Sequence, residues 1–553
     1  MLKVLRTGDQ EAKTQHTTFT HDVMGRFVCN TWDEAVGNGG PPFDVVVIGA
    51  GMFGAYFAEK VYRQSQKRVL VLDAGALLVT EHIQNLARLG IGYGDAVLHD
   101  PGEARDYVWG LPWRTNVASP GLAYCIGGRS LYWGGWAPRL TEADLALWPA
   151  EVAQYFRENY ARVESEIGVT PSTDFISGAL QSALEQCVRQ RLGAVTGLEQ
   201  VEEAPLAVQG QAPASGLFSF DKFSSAPLLI DAIREAARVA DRDRRLFLVP
   251  RAHVTRLQME GDRIAAIELF VEGDRKMFAL APSACVVLAS GTVESTRLAL
   301  ESFPTPLMGH NLMAHTRSNL TFRLPRATLR LPDAERLETS ALLVRGRCPA
   351  GGFHLQLTAV GSEGTAAEAA MFRMVPDIDM LDRLLSTQDS QHAVITVRAV
   401  GEMSSLSTGP VDGRSFIDLS PYEYDEFGYR RAWMSLVTTP EDTSVRTAMI
   451  EAAFGLAEQL ANGERIEYLR NGQWQDEPYM QDDSLGSTHH EAGTLFMGAR
   501  ADASVTDLHG RFHHVQNGYV VGPALFVTGG SASPALQAFA LALRTAAAVA
   551  TRP

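Results

Sequence analysis

The sequence predicts an α/β protein in which a Rossmann-type dinucleotide-binding domain is joined to a discontinuous α+β substrate-binding domain built on an antiparallel sheet. Three observations support this fold class. Residues 44–75 have the pattern of a strand, a glycine-rich turn, a helix and a second strand. A second apolar run that ends in glycine, residues 284–291, is followed by a helical pattern. Residues 320–440 hold less regular, β-compatible stretches, which favour a separate sheet.

The first of these units has the residue spacing that binding of a dinucleotide requires. The apolar run Val45–Ile48 is followed by Gly49, Gly51 and Gly54 in G-x-G-x-x-G order. The first glycine permits a tight turn, the second lets backbone approach a pyrophosphate, and the third lets the helix pack on the strand. The helix N-terminus supplies N–H donors to phosphate. Asp73 ends the second strand, where its carboxylate can accept hydrogen bonds from ribose hydroxyls. The alternative is a glycine-rich turn in an ordinary α/β domain.

Composition bounds the size of the protein and the kind of partner it can have. With 553 residues, 46% of them hydrophobic, the chain can bury a large core and is long enough for two domains. The formal net charge of −15 argues against nucleic acid or an anionic membrane as a partner, because both require a basic surface. The five cysteines are scattered without C-x-x-C spacing, which indicates a reducing compartment and no structural zinc.

No targeting or membrane-spanning segment is evident. The first twenty residues hold no apolar stretch of signal-peptide length. The most apolar late segment, residues 534–550, is interrupted by Gln537 and Arg544 and is short for a bilayer span. We therefore expect a cytoplasmic protein with no metal and no membrane partner.

The two domains are predicted to alternate along the chain. An N-terminal arm, residues 1–42, ends in a run rich in Gly and Pro. The dinucleotide-binding domain is expected in three pieces and the substrate domain in two: residues 43–149, 226–319 and 466–553 for the former, and 150–225 and 320–465 for the latter. One helix is well marked, because Thr439 can cap it, Pro440 suits its first position and Asn462-Gly463 stops it.

Three further blocks hold unusual combinations of glycine, histidine and hydroxyl residues. Residues 127–136 read GGRSLYWGGW, and such a loop suits a planar cofactor, although a glycine-rich turn with aromatic packing is the alternative. Residues 309–315 read GHNLMAH, which alone would indicate only a polar loop. The C-terminal block contains HHEAGT at 489–494, NGYVVGP at 517–523 and SASPAL at 531–536.

Together these blocks resemble the glucose-methanol-choline (GMC) family of flavoproteins, over residues 43–140, 250–315 and 485–550. The family carries a G-G-x-S flavin loop, a G-x-N-L-x-x-H segment and an ending of H-x-x-G-T, N-x-Y-V and a proline-led helix. The resemblance implies FAD. The positions it implies for cofactor contact are Gly49, Gly51, Gly54, Asp73, Gly128, Ser130, Tyr132, Val254, Gly291, Gly522 and Pro534.

The resemblance also implies oxidation of an alcohol, with hydride transfer to flavin N5 while a base removes the hydroxyl proton. His490 stands where the family's active-site histidine precedes Gly-Thr, and histidine titrates near neutrality. His489 is expected to point the other way if the segment is extended. Family members usually have Asn or His before the proline that opens the last helix, whereas this chain has Ser533. Ser533 is either a cap of a helix starting at Pro534 or a second hydrogen-bond partner of the substrate oxygen.

Within the family, the flavin loop looks most like that of pyranose oxidases, which have Ser-Thr-His-Trp with the histidine linked covalently to the flavin. This chain has Tyr132 at the linking position, in Ser-Leu-Tyr-Trp, so the resemblance implies non-covalent FAD. The alternative is that Tyr132 and Trp133 are core aromatic residues.

The predicted substrate is a sugar, a glycoside or a similar polar secondary alcohol, and the predicted electron acceptor is oxygen or a quinone or carrier protein. Two other functions stay open. Ser533 in place of Asn or His is compatible with lyase or decarboxylase chemistry on the same fold. The chain could also be a flavin-binding protein that has lost catalysis. Residues 150–225 and 320–465, where specificity would lie, contain no informative motif.

Overall fold

The computed structural model describes residues 25–86, 108–170, 176, 178–208, 222–362, 389–405 and 415–552. Within these residues the α-helices are α1 (Trp32–Val36), α2 (Met52–Gln64), α3 (Glu142–Leu145), α4 (Ala150–Ile167), α5 (Ala179–Arg191), α6 (Ala226–Ala236), α7 (Thr292–Ser302), α8 (Pro440–Ala461) and α9 (Ala535–Thr551). The strands are β1 (Val45–Ile48), β2 (Val69–Leu72), β3 (Trp109–Gly110), β4 (Arg114–Thr115), β5 (Leu122–Ala123), β6 (Val169–Thr170), β7 (Leu198–Glu203), β8 (Leu206–Ala207), β9 (Leu246–Val249), β10 (Ala252–Glu260), β11 (Arg263–Val271), β12 (Asp274–Ala279), β13 (Cys285–Leu288), β14 (His315–Pro325), β15 (Glu338–Cys348), β16 (Gly351–Gly361), β17 (His392–Glu402), β18 (Phe416–Tyr424), β19 (Arg430–Ser435), β20 (Glu467–Arg470), β21 (Gln473–Gln475), β22 (Gln481–Asp482) and β23 (Gly518–Val520).

One half of the molecule is built on a five-stranded parallel sheet, in the order β23-β13-β1-β2-β9. The residues of β1, β2, β9 and β13 are apolar and buried throughout. Strands of a parallel sheet are covered on both faces, which explains why they read as continuous apolar runs rather than alternating ones. The predicted α/β class is confirmed, and β1, α2, β2 and β13 lie where the sequence predicts them.

Helix α2 packs tightly on the parallel sheet on one side and on the last helix, α9, on the other. A Cβ atom built at Gly54 would lie 2.8 Å from the Cβ of Ala289, and closer still to the carbonyl oxygen of Gly49. On its other side α2 packs on α9, where Phe539 makes edge-to-face contacts with Phe53 and Tyr56 at 5.1 and 5.0 Å. The glycine therefore permits the approach of helix and strand that the motif predicts.

The second large sheet is antiparallel, in the order β21-β20-β14-β17-β16-β15-β7, with β22 pairing to β14. Alternate residues on one face, such as Phe322, Leu355 and Val397, are buried in a core shared with α8 and α5. The residues between them face the opposite way. This sheet is the predicted antiparallel sheet of the α+β half. Smaller sheets join β10-β11-β12, β18-β19-β4, β3-β5 and β6-β8.

The predicted signals at the ends of α8 are confirmed. The hydroxyl of Thr439 accepts from the backbone N–H of Asp442, whose carboxylate accepts from the backbone N–H of Thr439. This reciprocal pair is a capping box. It provides acceptors for two backbone N–H groups that have no acceptor within the helix. The helix ends at Asn462, which has a left-handed conformation with φ of 53°.

The start of the last helix differs from the expectation. α9 begins at Ala535, Pro534 is the residue that precedes it, and no side chain of the described residues caps it. Pro534 itself has a helical backbone conformation, and within the described residues no hydrogen bond joins the hydroxyl of Ser533 to the first turn, so Ser533 does not make the expected cap. None of the helices within the described ranges is long and apolar enough to cross a membrane.

Part of the predicted N-terminal arm, residues 1–24, lies outside the described residues. The described part contains α1 and packs against the parallel sheet, since the backbone N–H of Asn30 donates to the carbonyl oxygen of Leu248 in β9 at 2.7 Å.

We predict that Gly54→Ala lowers the free energy of unfolding by about 3 kcal/mol or more, because the added methyl group meets backbone that cannot move aside. Gly193→Ala is the matched control. A Cβ at Gly193 meets nothing within 4 Å, so we expect a change within about 0.5 kcal/mol. Denaturant unfolding of the two purified variants tests this, and equal stabilities would contradict the packing argument.

Candidate active site

A cavity lies between the half built on the parallel sheet and the half built on the antiparallel sheet. It is bounded by the carboxyl ends of β1, β2 and β13, at Gly49, Asp73 and Gly291. The opposite wall comes from the antiparallel sheet, through Arg317 and Gln356 among others. In open α/β sheets ligands bind outside the carboxyl ends of the strands, so this cavity is the candidate site.

Most of the residues that the sequence singled out line this cavity. They are Gly49, Gly51, Asp73, Gly128, Tyr132, Val254, Gly291, His489, His490, Ser533 and Pro534. Three of the expected cofactor residues do not line the cavity and lie behind its wall: Gly54, Ser130 and Gly522. The hydroxyl of Ser130 donates to the carbonyl oxygen of Gly127 at 2.6 Å and so fixes the turn of its own loop.

One end of the cavity has the geometry of a phosphate site. α2 begins after Gly51, without a side-chain cap from the described residues and with no acidic residue in its first turn. A Cβ at Gly51 would meet nothing within 4 Å, so the space beside the N-terminus of α2 is open. A Cβ at Gly128 would lie 3.0 Å from the Cα of Gly51, so glycine at position 128 lets its loop approach Gly51 closely. We call Gly49, Gly51, Gly128 and the N-terminus of α2 the dinucleotide cradle.

Next to the cradle lies a polar region that suits a ribose. The carboxylate of Asp73 accepts from the backbone N–H groups of Ala50 and Gly75 at 2.6 and 2.7 Å. Burial raises the pKa of Asp73 to about 6, and the two N–H donors oppose that shift. Tyr124 also lines the cavity, but its hydroxyl oxygen is buried away from the open space and has no hydrogen-bond partner within the described ranges.

His490 lies in the wall of the same cavity. The Nδ1 atoms of His490 and His315 are 2.8 Å apart, and the two rings are perpendicular with centroids 4.8 Å apart. His490 is partly exposed, and its ring is part of the cavity wall. The surrounding protein lowers the pKa of His490 well below its ordinary value, first by removing water and then through the electrostatic influence of His315 and Arg317. At neutral pH the imidazole is therefore uncharged and able to accept a proton.

A short antiparallel pairing brings these two histidines together. The backbone N–H of Met313 donates to the carbonyl oxygen of Ala492 at 3.1 Å, and the N–H of Ala492 donates back at 2.9 Å. Gly309 extends the contact by donating to the carbonyl oxygen of Thr494 at 3.0 Å. The sequence showed two separate motifs, and the pairing explains why both are needed: each contributes one histidine to the same site.

The condition under which His489 is expected to point away from His490, an extended segment, is not met. His489 has a left-handed backbone with φ of 60°, so the segment is not extended there and the rule of alternating side-chain directions does not apply. Both His489 and His490 line the cavity, and the ring of His489 lies 5.8 Å from that of Trp109.

The antiparallel sheet contributes a polar wall that sequence reasoning missed. Arg317, Gln356 and Arg398, from β14, β16 and β17, lie on the face opposite the apolar core and line the cavity. The guanidinium of Arg317 is paired with Asp483, and the Nε of Arg398 donates to the side-chain oxygen of Asn319 at 3.1 Å. Polar residues alternating with apolar ones along β14 were the available signal.

An ion pair and aromatic side chains complete the cavity wall. Arg129 and the buried Glu491, next to His490, are 2.8 Å apart. Trp109, Trp133 and Trp136 line the cavity beside Tyr132, which makes an edge-to-face contact with Trp109 at 5.3 Å. In the part of the chain that the structure describes, no group of three or more His, Cys, Asp or Glu side chains could hold a metal ion.

Comparison with known proteins agrees with this architecture. A family model described as GMC oxidoreductase matches residues 412–542. Pyridoxine 4-oxidase from Mesorbium loti has a similar solved structure, with a TM-score of 0.58 and 17% sequence identity, and the match covers 92% of this chain and 99% of that chain. No curated protein matches the chain. The protein therefore has the fold of GMC oxidoreductases, and its C-terminal part is similar in sequence to that family.

Proposed function

We propose that this protein is a FAD-dependent oxidoreductase that oxidises an alcohol, with His490 as the base. The single observation that carries the proposal is the position of His490, whose imidazole lies in the wall of a cavity that also contains a dinucleotide cradle. A base that removes a hydroxyl proton must be unprotonated and within reach of the substrate, and the lowered pKa of His490 and its place in the cavity wall support this role.

The residues of the cradle support FAD as the dinucleotide. The free N–H groups of α2 and the open space at Gly51 suit the pyrophosphate. Asp73 suits the ribose, and Val254 would hold the adenine through backbone. Because Tyr132 replaces the histidine that carries the covalent link in pyranose oxidases, the proposed FAD is non-covalent.

The chemistry divides between the cofactor and the protein. When bound, FAD supplies an acceptor for the hydride that leaves the alcohol carbon. The protein supplies the proton acceptor: as the C–H bond gives up its hydride, the O–H bond breaks and its proton forms an N–H bond on His490. Ser533 lines the cavity and does not cap a helix, so its hydroxyl is available as a second hydrogen-bond partner of the substrate oxygen. A serine hydroxyl cannot serve as the base, so catalysis depends on His490.

The polar and aromatic wall supports a polar alcohol as substrate. Gln356 and Arg398 offer hydrogen-bond donors, and the tryptophans offer flat apolar surfaces of the kind on which sugar rings stack. We propose a sugar, glycoside or similar polar secondary alcohol, with oxygen or a quinone or carrier protein as electron acceptor. Pyridoxine belongs in the substrate panel because a protein of the same fold is a pyridoxine 4-oxidase.

Gly51→Ala tests the cradle. The added methyl group meets no protein atom, so the stability of FAD-free protein should change by less than about 1 kcal/mol. The same methyl group fills the space that the pyrophosphate needs, so we expect FAD to bind at least about tenfold more weakly. FAD titration followed by fluorescence measures this, with Gly193→Ala as control. Unchanged affinity would contradict the assignment of the cradle.

His490→Ala tests the base. Loss of a positioned base lowers rates by about 10²- to 10⁴-fold, so the rate at which substrate bleaches the oxidised flavin band should fall by that factor. The rate is measured by anaerobic stopped flow over a panel of sugars, glycosides, sterols and aromatic alcohols. His509→Ala, at an exposed loop position, is the control and should leave the rate unchanged. Equal rates for wild type and His490→Ala would remove the mechanism. Full FAD occupancy with no bleaching by any alcohol would favour the lyase, decarboxylase or inactive alternatives.

The pH dependence follows from the lowered pKa of His490. Protonation inactivates a base, so activity is lost as pH falls through the pKa of that base. Since the pKa of His490 lies below 6.5, kcat/KM should stay level from pH 8 to below 6.5 and fall only at more acidic pH. A decline centred at or above pH 6.5, with FAD still bound and the fold intact by circular dichroism, would contradict this.

A further inference from the structure

His490 is the first member of a chain of hydrogen-bonded groups behind the cavity. Its Nδ1 contacts the Nδ1 of His315, and the Nε2 of His315 lies 3.0 Å from the carbonyl oxygen of Gly530. A second buried histidine, His354, places its Nδ1 2.5 Å from the carbonyl oxygen of Ser531. Two buried histidines thus contact consecutive carbonyl groups of one loop.

The donor and the acceptor of the hydrogen bonds made by His315 follow from the groups that take part in them. A carbonyl oxygen can only accept, so the Nε2 of His315 must carry its proton. Burial lowers the pKa of His315 to about 4, so at neutral pH its ring holds one proton and its Nδ1 is an acceptor. The Nδ1 of His490 must therefore be the donor across the 2.8 Å contact.

We propose that His315 is a positioning residue that fixes His490 as the tautomer protonated on Nδ1, so that the unprotonated Nε2 is the atom that receives the substrate proton. This rests on the proposed function and adds to it the identity of the accepting nitrogen and the residue that selects it. With the opposite tautomer, the contact between His490 and His315 would join two unprotonated nitrogens, and that hydrogen bond would be lost.

The hydrogen bonds of His315 also exclude a role for it in passing the substrate proton on. If a proton moved from His490 to the Nδ1 of His315, the ring could pass its Nε2 proton only to a carbonyl oxygen, which does not hold it. The proton taken from the substrate therefore stays on His490 until it leaves by way of the cavity. His315 orients the base and holds its tautomer, as the outer partners of functional histidines commonly do.

The first test is spectroscopic and needs no substrate. Two-bond ¹H–¹⁵N spectra of the FAD-bound full chain with ¹⁵N-labelled histidine distinguish protonated from unprotonated ring nitrogens, and His490→Gln assigns the signal. We expect His490 to be protonated on Nδ1 in wild type. A signal showing Nε2–H for His490 would overturn the proposal. Should no alcohol be oxidised, this measurement still decides the tautomer, and the proposed function fails alone.

The second test separates tautomer control from loop support. His315→Phe removes both hydrogen bonds, and we expect flavin reduction to slow by about 10- to 100-fold with FAD occupancy retained. His315→Gln keeps an acceptor and a donor on one side chain and should recover most of the rate. His354→Phe is the matched control, because it removes the bond to the adjacent carbonyl, together with the contact between the Nε2 of His354 and the amide of Gln356, and leaves the contact between His315 and His490 intact. Gln356→Ala, measured beside it, gives the part of any loss that comes from Gln356.

We expect the His490 signal to report Nδ1–H in wild type, His315→Gln and His354→Phe, and to become a mixture of tautomers in His315→Phe. Equal losses of rate in the two Phe variants would show that support of the loop is the cause. Equal losses in His315→Phe and His315→Gln would show that packing is the cause. Either result would overturn the proposal.

Discussion

The candidate site depends on one short backbone pairing, between Met313 and Ala492. Its two hydrogen bonds join segments from the two ends of a long stretch of chain, and the histidines they bring together are 175 residues apart. A backbone pairing resists change in side-chain identity, because the donors and acceptors belong to the main chain. Position 493 is an exception to this tolerance. A Cβ there would lie 2.5 Å from the side chain of Met313 and closer still to the carbonyl oxygen of Asn311. The segments can therefore pair only with glycine at this position.

Removal of water has opposite consequences for the acidic and the basic groups of the cavity wall. At Asp73 it favours the protonated carboxyl, although two N–H donors stabilise the anion. At His490 and His315 it favours the neutral imidazole. Both effects disfavour charge within the cavity wall. Two arginines of the wall are held in ion pairs, Arg129 with Glu491 and Arg317 with Asp483. A ligand that enters thus meets polar groups whose hydrogen bonds are already oriented by the protein.

The parts of the fold that the sequence predicts well are those in which local chemistry determines structure. The unit from Val45 to Asp73 is one case, since glycine spacing and apolar strands impose it. Helix α8 is another, because Thr439 and Asn462 mark its ends. The polar wall of the antiparallel sheet was missed although alternation of polar and apolar residues was a signal, because the sequence does not show that the polar face of Gln356 and Arg398 meets the carboxyl ends of the parallel strands. His489 was missed because a left-handed residue without glycine leaves no sequence signal.

The contact between α2 and α9 has a consequence for how the protein is made. The helix that begins the dinucleotide cradle is covered by a helix that follows it by about 470 residues. At a synthesis rate of about 5 to 20 residues per second, the ribosome needs roughly 25 to 95 s to reach that helix. During this time the apolar side of α2, with Phe53 and Tyr56, lacks its native cover. The nascent chain must therefore remain associated with a chaperone, or shield this surface by other means, until the last helix emerges.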